Sequence, residues 1–387
     1  MNLGGLAADK APPAGAPLTL FWLLPPFLAL AGGLLLADGR AILASRWDPA
    51  SLALTHLLVL GVLTPVMCGA VLQVMPVLLG APVPRVRSVA GVTAVGLTLG
   101  TLALAGGFLL ARPWMLQLGA GALFVGLGVF LAAAGLALRS TANGPAATGV
   151  RIALAALAVT MALGVLLVLS RTGWLPLPGH GAWTDLHALW GLAGWLGLLA
   201  VAVGMELIPM FYVAPAFRPG LKRWLARTVA AALLLGLLWH ALDWPTQIPP
   251  WLPGLLLVLH LGFHLEALRL ESWRQRIRRD ATLALWQVSH VAIAAALLHW
   301  VTGAPGLAGA VLVLCAALCF VVGALLKVLP FLSWLGLQRQ RSARRDSPVS
   351  LPRLRELLPD RQANLVALGL IGASAASTAA VAVPWLS

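Results

Sequence analysis

Eight histidines are the residues most able to do chemistry in this 387-residue chain. Four of them, His56, His187, His240 and His299, fall within about two turns of one end of four different apolar runs. Neutral imidazole survives a low-dielectric site and suits heme iron and copper. Four such rings at one depth could form a ligand cluster. They could equally hydrogen-bond across helices or to interfacial water, and residue type alone leaves both readings open. His260 and His264 are four apart, so they share one helix face. His290 reaches a comparable depth on the next run. These three define a second candidate metal or heme site, with interhelical hydrogen bonding as the other reading. His180, in the segment "LPLPGHGAW", reads as a solvated loop residue.

The runs that carry these rings define the class. Sixty per cent of the residues are apolar and 10% charged, against about 25% charged in soluble domains. Many runs reach the roughly 20 residues needed to cross a bilayer. The expectation is an all-α, multi-pass membrane protein. A β-barrel would instead show short alternating segments. The net charge of +14 does not point to nucleic acid, because the arginines fall in alternate loops. No secretory signal precedes the first run, which reads as a spanning helix.

Eleven spans are expected, at about 18–38, 52–79, 89–111, 114–137, 150–170, 184–213, 226–243, 251–270, 281–302, 306–336 and 362–385. The loops after the even-numbered spans hold most of the arginine, including Arg85, Arg218, Arg274 and the segment 338–361. The opposite loops hold only Arg40, Arg46, Arg112 and Arg171. By the positive-inside rule the N-terminus and 338–361 are cytoplasmic and the C-terminus is outside. Trp22, Trp183, Trp190, Trp244, Trp251, Trp300 and Trp385 cluster near span ends, as interfacial anchors do. Cys68, Cys315 and Cys319 lie inside apolar runs and read as buried, inert thiols.

The stretch "LQVMPVLLGAPVPR" (72–85) has a relative in "MELIPMFYVAPAFR" (205–218). Each has a polar residue three before a Pro and Ala-Pro five and six after it. Span 10 ends the same way at Pro330 but lacks the Ala-Pro. The period is four spans, so spans 1–4, 5–8 and 9–11 form repeats at about 18–138, 150–270 and 281–385 within a single membrane domain. Proline at this point removes one backbone bond and lets the chain leave the helix. Gln73, Glu206 and Lys327 are then equivalent positions, three before each Pro. A lone intramembrane charge is expensive. Glu206 and Lys327 are expected to form a buried ion pair, or with Gln73 a proton path.

Three units of four helices resemble subunit I of the heme-copper oxidases. His56 near the start of span 2, followed by Gly69, Met75, Pro76, Gly80, Ala81, Pro82 and Arg85, is similar to that family's second helix. The chain also looks like smaller oxidase-like membrane proteins of the NnrS type. The resemblance implies a pseudo-threefold bundle, an oxidoreductase role, heme b and copper as cofactors, and His56 as an axial heme ligand. His187, His240 and His299 are candidate partners for His56, and His187 and His240 sit on helices corresponding to the copper-bearing ones. It also implies a bacterial inner membrane and an electron-donating subunit or cytochrome. Span 10 lacks the family's His-x-His, span 7 has only His240, and the single Tyr, Tyr212, lies at the far end of span 6. The expectation is therefore a heme- or copper-binding redox protein that is not a complete oxygen-reducing oxidase. The alternatives are an NnrS-like protein for nitric-oxide stress or metal handling, and a cofactor-free transporter or assembly factor on the same scaffold.

Overall fold

A computed structural model gives the structure of the protein and describes residues 11–139, 141–242, 247–276, 278–343 and 351–382. Trp244 and Trp385, and residues 344–350 of the arginine-rich segment 338–361, lie outside the described residues. Among the described residues there is no strand, and eleven helices are long and apolar enough to cross a bilayer. They are α1 (Gly15–Ile42), α2 (Pro49–Leu78), α3 (Val86–Leu109), α4 (Pro113–Leu138), α5 (Pro145–Arg171), α6 (His180–Tyr212), α7 (Pro219–Ala241), α8 (Trp251–Ser272), α9 (Ala281–Val301), α10 (Pro305–Arg339) and α11 (Asp360–Ala380). This is an all-α integral membrane protein whose outer helix faces contact lipid. The helices pack as two compact units, one containing Ala16–Arg274 and the other Gln275–Ser387. The division falls where the second repeat gives way to the third.

The four-helix recurrence has a backbone counterpart that periodicity did not announce. α2, α6 and α10 each contain a π-helical segment: Leu57–Leu63, Trp190–Gly197 and Val311–Ala317. Each segment begins nineteen residues before its proline, from Leu57 to Pro76, Trp190 to Pro209 and Val311 to Pro330. Such segments cluster at functional sites.

Packing repeats as well. Between lipid-embedded helices there is no hydrophobic drive, so small residues and interhelical hydrogen bonds hold the contacts. Seven residues before the proline stand Gly69, Ala202 and Gly323. A Cβ on Gly69 would lie 2.5 Å from the ring of Phe21 on α1, and one on Gly323 would lie 2.8 Å from Trp286 on α9. Ala202 instead packs on Gly149 of α5, where an added Cβ would lie 2.7 Å from the Ala202 side chain. In the smaller unit the seam between α9 and α10 also carries side-chain donors. Thr282 donates to Gly323 O (3.0 Å), Trp286 Nε1 to Phe320 O (3.0 Å) and Ser289 to Ala316 O (2.8 Å).

After Pro76 and Pro209 the helix stops within three residues, as expected. Left-handed residues make the stop, Gly80 (φ 64°) after α2 and Val213 (φ 50°) after α6. α10 differs. It runs past Pro330 to Arg339, with no left-handed residue in between, and one lost backbone bond does not end a helix by itself. Trp190 is a second correction. It is buried at the start of the π segment, whereas Trp22 and Trp251 are exposed at span ends as anchors should be.

α3 and α4 form the closest hairpin. A Cβ on Gly96 would come within 2.6 Å of the Gly126 Cα, and Thr93 Oγ1 donates to Gly126 O at 3.2 Å. Gly96→Val should lower stability by about 1–3 kcal/mol, the usual result of overpacking a tight contact. Gly121→Val, on the open side of α4, should leave the detergent melting temperature nearly unchanged. Equal melting of the two variants would show that the hairpin contact is loose.

Candidate functional site

Two of the four end-placed histidines meet. His56 precedes the π segment of α2 by one residue and His187 precedes that of α6 by three. Their ring centroids are 6.5 Å apart, with planes 24° from parallel. Both are half-buried. His56 Nδ1 lies 2.7 Å from Leu52 O, and His187 Nδ1 lies 3.0 Å from Thr160 O on α5. A carbonyl only accepts, so each Nδ1 carries the hydrogen, and a neutral ring then keeps its lone pair at Nε2. Phe108 of α3 flanks His56 at 5.3 Å, and the Arg171 guanidinium lies 5.7 Å from the Phe108 ring. Gly164 of α5 packs close beside His187, where a Cβ would make a tight 3.1 Å contact with its Cε1. Close by in the chain, Arg46 binds Asp185 at 2.6 Å and ties the α1–α2 loop to the start of α6.

This arrangement fits a metal or heme iron at the level of the ligands. A ligating imidazole characteristically donates its remote N–H to a carbonyl or carboxylate, fixing tautomer and orientation, and both rings do so. Two imidazoles that share an ion at about 2.0–2.1 Å per bond have centroids roughly 6 Å apart, close to the observed spacing.

His240 ends α7 against the Trp183 ring, edge to face at 4.5 Å. His299 ends α9 in the smaller unit. His260 and His264 are buried on α8, and His290 is buried on α9 with Phe320 at 6.4 Å. Among the described residues no three His, Cys, Asp or Glu side chains gather as a metal site. The candidate site is therefore a pair. His180 opens α6 rather than lying in a loop. Cys68 and Cys319 are buried as expected, while Cys315 is half-buried with its sulfur 3.4 Å from Thr378 Oγ1.

Glu206 and Lys327 take partners that the repeat did not name. Lys222 of α7 binds Glu206 at 2.6 Å, and Asp280, at the start of α9, binds Lys327 at 2.5 Å. The expected Glu206–Lys327 pair is corrected to two pairs, because a nearby loop-end charge reaches each site at less desolvation than a second mid-span charge. Gln73 is buried, and its Oε1 has no hydrogen-bond partner among the described residues.

Sequence reasoning missed Phe108, Thr160 and Gly164. A Phe, a Thr and a Gly in apolar spans carry no signal of their own, and only the approach of α3 and α5 to the histidines gives them a role. No protein-family model and no curated protein sequence matches the chain.

Proposed function

We propose that the protein is a membrane redox protein that holds heme, copper or both, with His56 and His187 as the ligands. The single observation supporting this is the pairing of two imidazoles whose Nδ1–H groups are both committed to backbone carbonyls. Heme iron or copper would supply one-electron chemistry there. The chain's own part is to present Nε2 of each ring, to hold both in one tautomer, and to screen one side of His56 with Phe108.

The reading extends to the setting. The arginine asymmetry supports a cytoplasmic N-terminus and an external C-terminus, and the resemblance to oxidase subunit I supports a bacterial inner membrane. The histidine ends of α2 and α6 then face outward, where an electron-donating subunit or cytochrome would dock. Resemblance to heme-copper oxidase subunit I supports the redox role. The lack of an oxidase-like His-x-His at the start of α10 argues for one-electron or ligand-binding work rather than oxygen reduction.

The test is the cofactor content of protein purified after growth with ample heme and copper. A Soret band, or copper near one ion per chain by elemental analysis, is expected. A colourless preparation with neither would overturn the reading and leave a cofactor-free scaffold, in which His56 bonds its own helix and nothing more.

A further inference from the structure

We propose that Thr64 and Trp195 are positioning residues, whose hydrogen bond holds α2 and α6 in the register that brings His56 to His187. That the two rings then hold a cofactor rests on the reading above; that they meet through this bond does not.

The bond runs from Trp195 Nε1 to Thr64 Oγ1, at 3.3 Å. Each of the two residues is only 1% exposed. Between lipid-embedded helices such bonds are a principal link, and a buried indole N–H without its acceptor would be left unsatisfied. Thr64 stands eight residues after His56, and Trp195 stands eight residues after His187. The two helices therefore meet at two rungs of equal spacing, imidazole beside imidazole and indole on hydroxyl. Residue numbers rise together from one rung to the next, so α2 and α6 run parallel.

Plain α-helices would not line up these rungs. At 3.6 residues per turn, eight residues overshoot two turns by about 80°. His56 and Thr64 would then face different neighbours, as would His187 and Trp195. Both eight-residue intervals cross a π segment instead. The N–H of Thr64 reaches Val59 O, and that of Leu198 reaches Ala193 O, each five residues back. A π turn takes an extra residue. Eight residues then rotate about as far as seven do in an α-helix, within roughly 20° of two full turns. His56 and Thr64 come to share one face of α2, and His187 and Trp195 one face of α6. The π segments thus have a purpose in the site: they put each histidine in line with its positioning residue.

The local sequence suits the wide turn. Pro65 has no N–H, so it drops out of the backbone ladder just past Thr64. In α6 the segment is lined by Gly191, Gly194 and Gly197, where a Cβ would lie 3.3 Å from Thr160, 2.7 Å from Ala156 and 2.5 Å from His260. These contacts seat the segment against α5 and α8. Phe130 of α4 meets the Trp195 ring edge to face at 6.4 Å. The π segment of α10 has an indole bond of its own, from Trp286 Nε1 to Phe320 O at 3.0 Å, but α10 carries no histidine. That bond is a matched control.

The test uses the full chain in nanodiscs with 13C- and 15N-labelled histidine, read by solid-state NMR. Wild type should show a ring-to-ring cross-peak between His56 and His187. Thr64→Val removes the hydroxyl and Trp195→Phe the N–H, and each should lose about half of that cross-peak or more as the interhelical bond goes. Thr64→Ser keeps the hydroxyl and should keep the cross-peak. Trp286→Phe should leave it unchanged, with melting curves confirming the fold of every variant. Stripped protein is then titrated with copper and, separately, with heme. Whichever the wild type binds should be held about tenfold more weakly by Thr64→Val and Trp195→Phe, and normally by Thr64→Ser. A missing cross-peak in wild type, an undiminished one in Thr64→Val and Trp195→Phe, or an equal loss in Trp286→Phe would each overturn the proposal. Wild-type protein that binds neither copper nor heme would overturn the cofactor reading instead, and the cross-peaks would still decide this one.

Discussion

His56→Ala and His187→Ala should each remove or strongly shift the Soret band, while His180→Ala leaves it unchanged. His56 and His187 approach each other to 6.5 Å between ring centroids, whereas His180 opens α6 about two turns away from His187. Loss of an outer-sphere partner typically lowers metal affinity by about 10–100-fold, and loss of a ligand should exceed that. The two variants should also differ from His240→Ala. His240 is engaged by Trp183, so its change should not convert a low-spin spectrum to high spin. If His240→Ala does so while His187→Ala does not, the second ligand is His240 and the pair read from the geometry is wrong. Thr160 offers a finer check that keeps both imidazoles. Its carbonyl orients His187, so Thr160→Pro, which bends α5 there, should weaken cofactor retention with His56 untouched.

Asp280→Asn should destabilise the smaller unit more than the double change Asp280→Asn with Lys327→Met. Asp280 works twice. Its Oδ1 accepts from Leu283 N at 3.1 Å, capping α9, and its Oδ2 binds Lys327 at 2.5 Å. Asparagine preserves the cap, since Asn and Asp cap about equally well. What it removes is the charge that balances a lysine only one-fifth exposed. Removing one partner of a buried ion pair typically costs up to about 3–5 kcal/mol, while replacing both is near neutral. Glu206→Gln should follow the same logic with Lys222, whose stranded ammonium is one-fifth exposed, as that of Lys327 is. Equal melting of single and double Asp280 variants would show that the two residues do not stabilise each other.

Class and span number were legible because they rest on composition and order, which no packing alters. An apolar run long enough to cross a bilayer has one stable solution, a helix, since every backbone group must be satisfied within it. The proline-centred wording of 72–85 and 205–218 marked equivalent places in two repeats, and α2 and α6 do end there. Three further facts were decided by tertiary structure. The π segments at Leu57, Trp190 and Val311 lie in stretches that are apolar on every side, where hydrophobic periodicity carries no information about helix register. Which histidines meet depended on the approach of α2 to α6, and four rings at similar depth gave no way to choose the pair His56–His187. The partners of Glu206 and Lys327 were set by Lys222 and Asp280, which stand in or beside loops. A repeat aligns positions along the chain, but an ion pair forms with whichever opposite charge can reach at the least desolvation, and that is a property of neighbouring helices in space.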